Sequence, residues 1–152
     1  MALVGMINIE TSGTPSKKNL LNDLLMNIIN STKDQLNIIT PKFDKFYANE
    51  LKRVPERGVP VLMITRERGT LHKKEFPVYD DLKNTQGISI INNPNVNFLL
   101  VFNSTKAMFS GGILDKEELS NSILIVTTVE EKQKLRLIAE IFSSMLPTFM
   151  RK

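Results

Sequence analysis

The one histidine of this chain stands in its most heavily charged stretch, Arg66 to Glu75 ("RERGTLHKKE"). His72 is followed closely by Lys73 and Lys74 and then by Asp80, and Arg66 and Arg68 come just before it. These residue types suit phosphate chemistry. A histidine can attack phosphorus or pass a proton, an ammonium can hold phosphate oxygens, and guanidinium forks fit phosphate or carboxylate. Two readings compete for the stretch: an anion pocket, or a solvated loop in which His72 is a surface histidine among lysines. The second is the more economical. Elsewhere no Ser-His-Asp set, glycine-rich phosphate loop or metal-ligand cluster is apparent, and Gly111-Gly112 alone is a weak signal. With no cysteine and one histidine, neither a disulfide framework nor a thiolate metal site is available, and zinc catalysis is disfavoured. No cofactor is expected.

The elements that must position these groups follow from hydrophobic pattern. Asn95 to Thr128 reads as three consecutive strands, Val96 to Phe102, Ala107 to Ile113 and Ser122 to Thr128, with a turn at Asn103-Ser104. Apolar residues on both parities of "FLLVF" and "ILIV" suggest strands covered on both faces. Upstream, Gln35 to Thr40 and Val59 to Thr65 are strands separated by a helix over Asp44 to Val54, and this order calls for a crossover and a parallel pair. In such sheets ligands sit beyond the carboxyl ends of the strands, here Thr40 to Lys42 and Arg66 to Thr70.

The remaining elements are a short strand at Leu3 to Ile9 and an amphipathic helix from Thr14-Pro15 to Thr32, striped by Leu20, Leu21, Leu24, Leu25, Ile28 and Ile29. A short polar helix over Pro77 to Gln86 and a strand at Ile88 to Ile91 come next, then one helical turn near Asp115 to Leu119. A terminal helix opens with a capping box of Thr128 and Glu131. Its stripe, Leu135 to Phe149, is expected to be core or dimer surface, and Phe98, Phe102 and Phe109 to be core. The fold class is therefore α/β, with a mixed, partly parallel sheet and flanking helices. At 152 residues a single domain over 1–152 is expected. No apolar run approaches the ~20 residues that cross a bilayer, so no membrane insertion and a cytoplasmic location are expected. The formal charge of +4 permits, without requiring, an anionic partner such as nucleic acid.

The segments "LNIITPKFDKFYANELKRVPERGVPVLMIT" and "VNFLLVFNSTKAMFSGGILDKEELSNSILIVTT" resemble the phospholipase D-like fold, including the effector domains of archaeal TrmB-type regulators and related archaeal sensors. The resemblance spans about Asn19 to Leu146. It implies an H-x-K-x4-D motif at the first hairpin strand, a later Ser/Gly pair, and two such motifs meeting across a dimer. Aligned so, Asn95 and Asn97 take the histidine and lysine seats. Asn103 falls one residue late of the aspartate, and Ser110, Gly111 and Gly112 match the later pair. Asparagine is neither a phosphorus nucleophile nor a proton donor near neutral pH, so the resemblance implies a lost hydrolytic site and leans away from an enzyme. The near-match at His72, Lys74 and Asp80 (H-x-K-x5-D) is one residue too long, and Pro77 interrupts it.

Three functions compete. The first is a non-catalytic ligand-sensing or protein-interaction module, a homodimer, taking a small anion or sugar phosphate through Arg66, Arg68, His72, Asn95, Asn97 and Ser110. It would be the effector part of a transcription or signalling regulator. The second is a phosphodiesterase or nuclease using His72 and Lys74. The third is a nucleic-acid-binding module using Arg66, Arg68, Lys73 and Lys74, with Lys17, Lys18, Arg151 and Lys152.

Overall fold

Seven strands form one sheet in the computed structural model, which describes residues 7–11 and 20–151. In chain order the elements are β1 (Ile7–Thr11), α1 (Leu20–Ser31), β2 (Leu36–Ile39), α2 (Lys45–Lys52), β3 (Val61–Thr65) and α3 (Phe76–Lys83). Then follow β4 (Ile88–Asn92), β5 (Leu99–Phe102), β6 (Ala107–Ser110), α4 (Lys116–Asn121), β7 (Ile125–Val129) and α5 (Lys132–Ser144). The sheet order is β1-β7-β6-β5-β2-β3-β4. β2, β3 and β4 run parallel, and β5, β6, β7 and β1 continue the sheet antiparallel from the other side of β2. The sheet is mixed because the crossovers through α2 and α3 return each strand in the same direction, whereas the short turn at Asn103 can only reverse it.

Alternation sorts the side chains onto two faces. Leu36, Ile38, Val61, Met63, Leu99, Val101 and Met108 point to a first face, where Leu21, Leu25 and Ile28 of α1, Tyr47 and Leu51 of α2, Leu82 of α3 and Leu119 of α4 bury them. Ile39, Ile64, Leu100, Phe102 and Ala107 point to a second face, which Leu135 and Phe142 of α5 and the following Leu146 cover. All four residues of β5 are buried, as its apolar residues on both parities require.

Several expectations change. Thr128 does not cap the terminal helix. It lies inside β7, opposite Met108, so its backbone is extended, and α5 begins after Glu131 without a side-chain cap. Phe109 is 46% exposed, and Ile141 and Phe149 of the terminal stripe are also exposed, because one helix cannot cover the second face of seven strands. Ile123 and Ile125 are exposed for the same reason, so "ILIV" is covered on one face only. The expected helix start at Thr14-Pro15, residues 3–6 of the first strand, and Lys17, Lys18 and Lys152 lie outside the described residues.

Gly87 is required at the approach to β4. Its φ is +90°, and a Cβ there would stand 2.7 Å from the Pro55 Cβ. Only glycine lets the loop before β3 and the start of β4 pass this closely.

Candidate functional site

The carboxyl ends of the parallel strands are held by their own threonines. Thr40 Oγ1 donates to the Lys42 carbonyl at 2.7 Å and accepts from Leu114 N, while Thr65 Oγ1 donates to the Pro41 carbonyl at 2.9 Å. Both threonines are buried, so these bonds replace the water that the hydroxyls lose. Asn92 at the end of β4 donates through Nδ2 to the Arg66 carbonyl and to the Tyr79 hydroxyl. Arg66, leaving β3, donates from Nε to the Val96 carbonyl at 2.6 Å, which ties this loop to the approach to β5.

That bond brings Arg66, Asn95 and Asn97 to one corner of the sheet. Asn95 and Asn97 are exposed, and the Asn95 backbone N–H donates to Asn93 Oδ1 in a local turn. Arg68 is turned elsewhere. It makes a two-pronged ion pair with Asp80 at 2.7 and 2.8 Å, and its guanidinium lies 3.9 Å over the Phe76 ring. The hydrogen bond from Arg68 holds the Asp80 carboxyl below its usual range and, in return, keeps Arg68 more firmly charged.

His72 is exposed and starts a short 3-10 turn over Lys73–Glu75. Its carbonyl accepts from the Glu75 backbone N–H at 2.9 Å, while Glu75 Oε1 accepts from the His72 N–H at 3.3 Å. Lys73 and Lys74 are exposed and have no ion-pair partner among the described residues.

Ser110 does not join this corner. It sits on β6 opposite Leu99, pointing to the first face with Met108, fully buried, and its Oγ is without a hydrogen-bond partner. No group of three or more His, Asp or Glu side chains able to hold a metal ion exists among the described residues.

The residue that orders the hairpin is Asn103. Its Oδ1 accepts from the backbone N–H groups of Thr105 at 2.8 Å and Lys106 at 2.9 Å and from Thr105 Oγ1, closing the turn between β5 and β6. Its Nδ2 donates to Thr32 Oγ1 at 3.0 Å and, at 3.4 Å, to the Ile28 carbonyl, so the turn is also fastened to the end of α1. An aspartate would give the same turn-closing acceptors, which makes Asn103 the natural anchor for the motif spacing. Counted back from Asn103, H-x-K-x4-D lands on Val96 and Phe98, one residue beyond Asn95 and Asn97. Val96 is fully buried among Ile39, Ile64 and Leu100, and the Phe98 ring packs against Phe109 with centroids 5.6 Å apart. The signal for this register was the Asn-Ser pair after an apolar run, since a side-chain-closed turn fixes where a hairpin reverses.

A second polar centre escaped the sequence reading. Asp44 caps α2 by accepting from Tyr47 N at 2.9 Å, and its other oxygen accepts from Lys116 N at 2.8 Å, the first residue of α4. Beside it, the Tyr47 hydroxyl donates to Asn22 Oδ1, and Asn22 Nδ2 donates to the Lys116 carbonyl and to Ser120 Oγ. Burial pushes the Asp44 carboxyl up, against the two N–H bonds that pull it down, and pushes the Tyr47 hydroxyl up as well.

A groove of about 1120 Å³ runs along α5 on the second face. Its floor is the register row Phe102, Asn37, Leu62 and Ser89, and Arg136 and Ala139 stand on its helical wall.

No protein-family model and no curated protein sequence matches the chain. Solved structures do. NucT from Helicobacter pylori superposes with a TM-score of 0.74 at 14% identity over 91% of this chain and 95% of that one. Nuc from Salmonella typhimurium, a phospholipase D family member, gives 0.72 at 15% identity over 91% and 93%. The fold is phospholipase D-like. TrmBL2, an archaeal chromatin protein, shares it with a TM-score of 0.62 at 9% identity over 90% of this chain, which spans 52% of TrmBL2. The phospholipase D-like sheet thus aligns over nearly the whole chain, and at these identities the likeness is one of fold.

Proposed function

We propose that the chain is a non-catalytic phospholipase D-like module that works by binding. The observation that carries this reading is the approach to β5. Where the spacing from Asn103 calls for a nucleophile and a phosphate clamp, Val96 and Phe98 stand, and the one histidine of the chain is a turn-capping residue in another loop. Neither an isopropyl nor a phenyl group can attack phosphorus or protonate a leaving oxygen. The ligand class that fits the corner is a small anion or sugar phosphate. Arg66 uses Nε for Val96, which leaves its Nη groups for a charged group, and the exposed amides of Asn95 and Asn97 stand ready for hydroxyls. Arg68 and His72 hold the neighbouring loop in place.

Two measurements test this. A thermal-shift series with inorganic phosphate and simple sugar phosphates at millimolar concentration is expected to raise Tm, and the rise is expected to shrink in Arg66→Met. Hydrolysis of a generic phosphodiester is expected to stay at background. Turnover that disappears in His72→Ala would instead establish a phosphodiesterase built on His72 and Lys74.

Nucleic acid is the second reading, favoured by the unpaired, exposed Lys73 and Lys74 and by the DNA binding reported for TrmBL2. Binding of this kind would weaken steeply as salt rises and would fall in Lys73→Ala/Lys74→Ala.

A further inference from the structure

The sheet ends at β4, which pairs with β3 on one side and with no described strand on the other. Two hydrogen bonds fix which of its backbone groups point outward. Val61 N donates to the Gly87 carbonyl and Asn93 N donates to the Thr65 carbonyl, both at 2.9 Å. Residues of a parallel strand serve its two sides alternately. Gly87, Ser89, Ile91 and Asn93 therefore face β3, and Ile88, Ile90 and Asn92 face away from it. The Ile88 N–H is taken by the Thr85 carbonyl at 3.2 Å. What remains is the Ile88 carbonyl and both the N–H and the carbonyl of Ile90 and of Asn92. None of these has a hydrogen-bond partner among the described residues.

Proteins commonly guard such an edge with a charge, a proline or a bulge. β4 has none of them. It reads Ile-Ser-Ile-Ile-Asn, and its register with β3 runs one to one from Ile88 to Asn92. Apolar side chains stand half-buried on both of its faces. Ile90 and Val78 of α3 pack against the first core cluster, and Ile91 packs against the second.

We propose that β4 is a docking edge for an extended segment of another protein, which joins the sheet as one more strand. The backbone is the first argument. Outward donors and acceptors alternate along this edge, and a second peptide backbone answers both. Phosphate oxygens only accept, so a nucleic acid or a lipid headgroup would leave the Ile90 and Asn92 carbonyls unmet. The side chains are the second argument. An incoming residue opposite Ile90 lies on the first face, and its neighbour lies on the second face beside Ile91. There the groove along α5 reaches the sheet edge at Ser89 and leaves room for it. The segment that fits therefore carries two consecutive apolar residues at its centre and no proline.

An array of peptides of about seven residues supplies the probe. Each has two consecutive residues drawn from Val, Ile, Leu and Phe at its centre, with Thr, Glu and Lys around them. The tightest binder is expected to have a Kd of about 100 µM or below. It is expected to slow hydrogen exchange at the Ile90 and Asn92 amides and to leave those of Ser89 and Ile91, already bonded to β3, unchanged. Methylating its two central backbone nitrogens, one on each edge of the peptide, is expected to abolish binding. Ile90→Pro removes an outward N–H and no ladder bond. It is expected to keep the circular dichroism spectrum of the unmodified chain and to bind the peptide about tenfold more weakly or worse. No binding at about 1 mM peptide, protection at other amides, or binding that survives the methylation overturns the proposal. So does a dimer in sedimentation that Ile90→Pro dissociates, which would assign the edge to a second copy. Ile90→Pro leaves the Arg66 corner intact, and its phosphate-dependent rise in Tm is expected to persist, so this proposal and the anion site fail separately.

Discussion

Arg66 Nε lies 2.6 Å from the Val96 carbonyl, a charged side chain bonded to the backbone just before the buried strand β5. This one contact links the loop after β3 to the approach to the hairpin. Arg66→Met removes the donor and leaves the carbonyl partly buried, which is expected to cost about 1–2 kcal/mol and to lower Tm by about 3–6 °C. Thermal unfolding followed by circular dichroism checks it. Arg68→Met, which breaks a more exposed pair, is expected to have the smaller effect.

Asn103 is expected to be the most sensitive polar residue of the hairpin. Asn103→Ala removes the acceptor of two backbone N–H groups and the donor to Thr32, a loss of about 2–3 kcal/mol in urea unfolding. Asn103→Asp keeps the acceptors but turns a carboxylate oxygen toward the Ile28 carbonyl. Its stability is expected to lie between those of Asn103→Ala and the unmodified chain.

Asp44 should give a pH signature of unusual sign. Because burial raises its folded pKa above 3.8, the folded chain binds the proton more tightly than the unfolded chain does. Asp44 therefore contributes most at low pH, and the contribution is lost as pH rises through the folded pKa. The stability difference between the unmodified chain and Asp44→Asn is expected to be more favourable to the former at about pH 3.5 than at about pH 6.5. Asp80, held low by Arg68, has the opposite sign: its contribution is present above 3.8 and fades as pH falls through its lowered pKa. Urea midpoints of Asp44→Asn and Asp80→Asn, each against the unmodified chain from about pH 6.5 downward, are expected to move in opposite directions, and parallel trends would contradict this.

Two glycines separate conformational need from mere composition. Gly87→Ala meets a positive φ and the Pro55 ring, and is expected to destabilise by about 2–4 kcal/mol. Gly69, with open space at its Cβ position and no positive φ, is expected to accept alanine within about 0.5 kcal/mol. Chemical unfolding of the pair of variants decides it.

Strand content and sheet type were legible because they rest on runs of apolar residues bounded by Pro, Gly and Asn. Gln35 to Thr40 became Leu36–Ile39, and Val59 to Thr65 became Val61–Thr65, with the expected parallel pairing. The turn at Asn103-Ser104 was legible too. What the pattern did not carry was that the Asn103 amide both closes the reversal and fastens it to the end of α1. Nor did periodicity reveal that Phe109 and Ile141 are exposed. An apolar side chain reads the same whether a helix covers it or not. Thr128 resembled a helix cap by spacing, yet the ladder to Met108 held its backbone extended.

The first and last strands of the sheet meet in one ladder: β1 pairs along its whole length with β7, roughly 115 residues later. During synthesis at roughly 5–20 residues per second, the first strand waits on the order of ten seconds for its mate to leave the ribosome. Over that interval a nascent chain holds an unsatisfied edge, and closure of the sheet is necessarily among the last events. Truncation ahead of β7 would therefore leave β1 without a ladder partner.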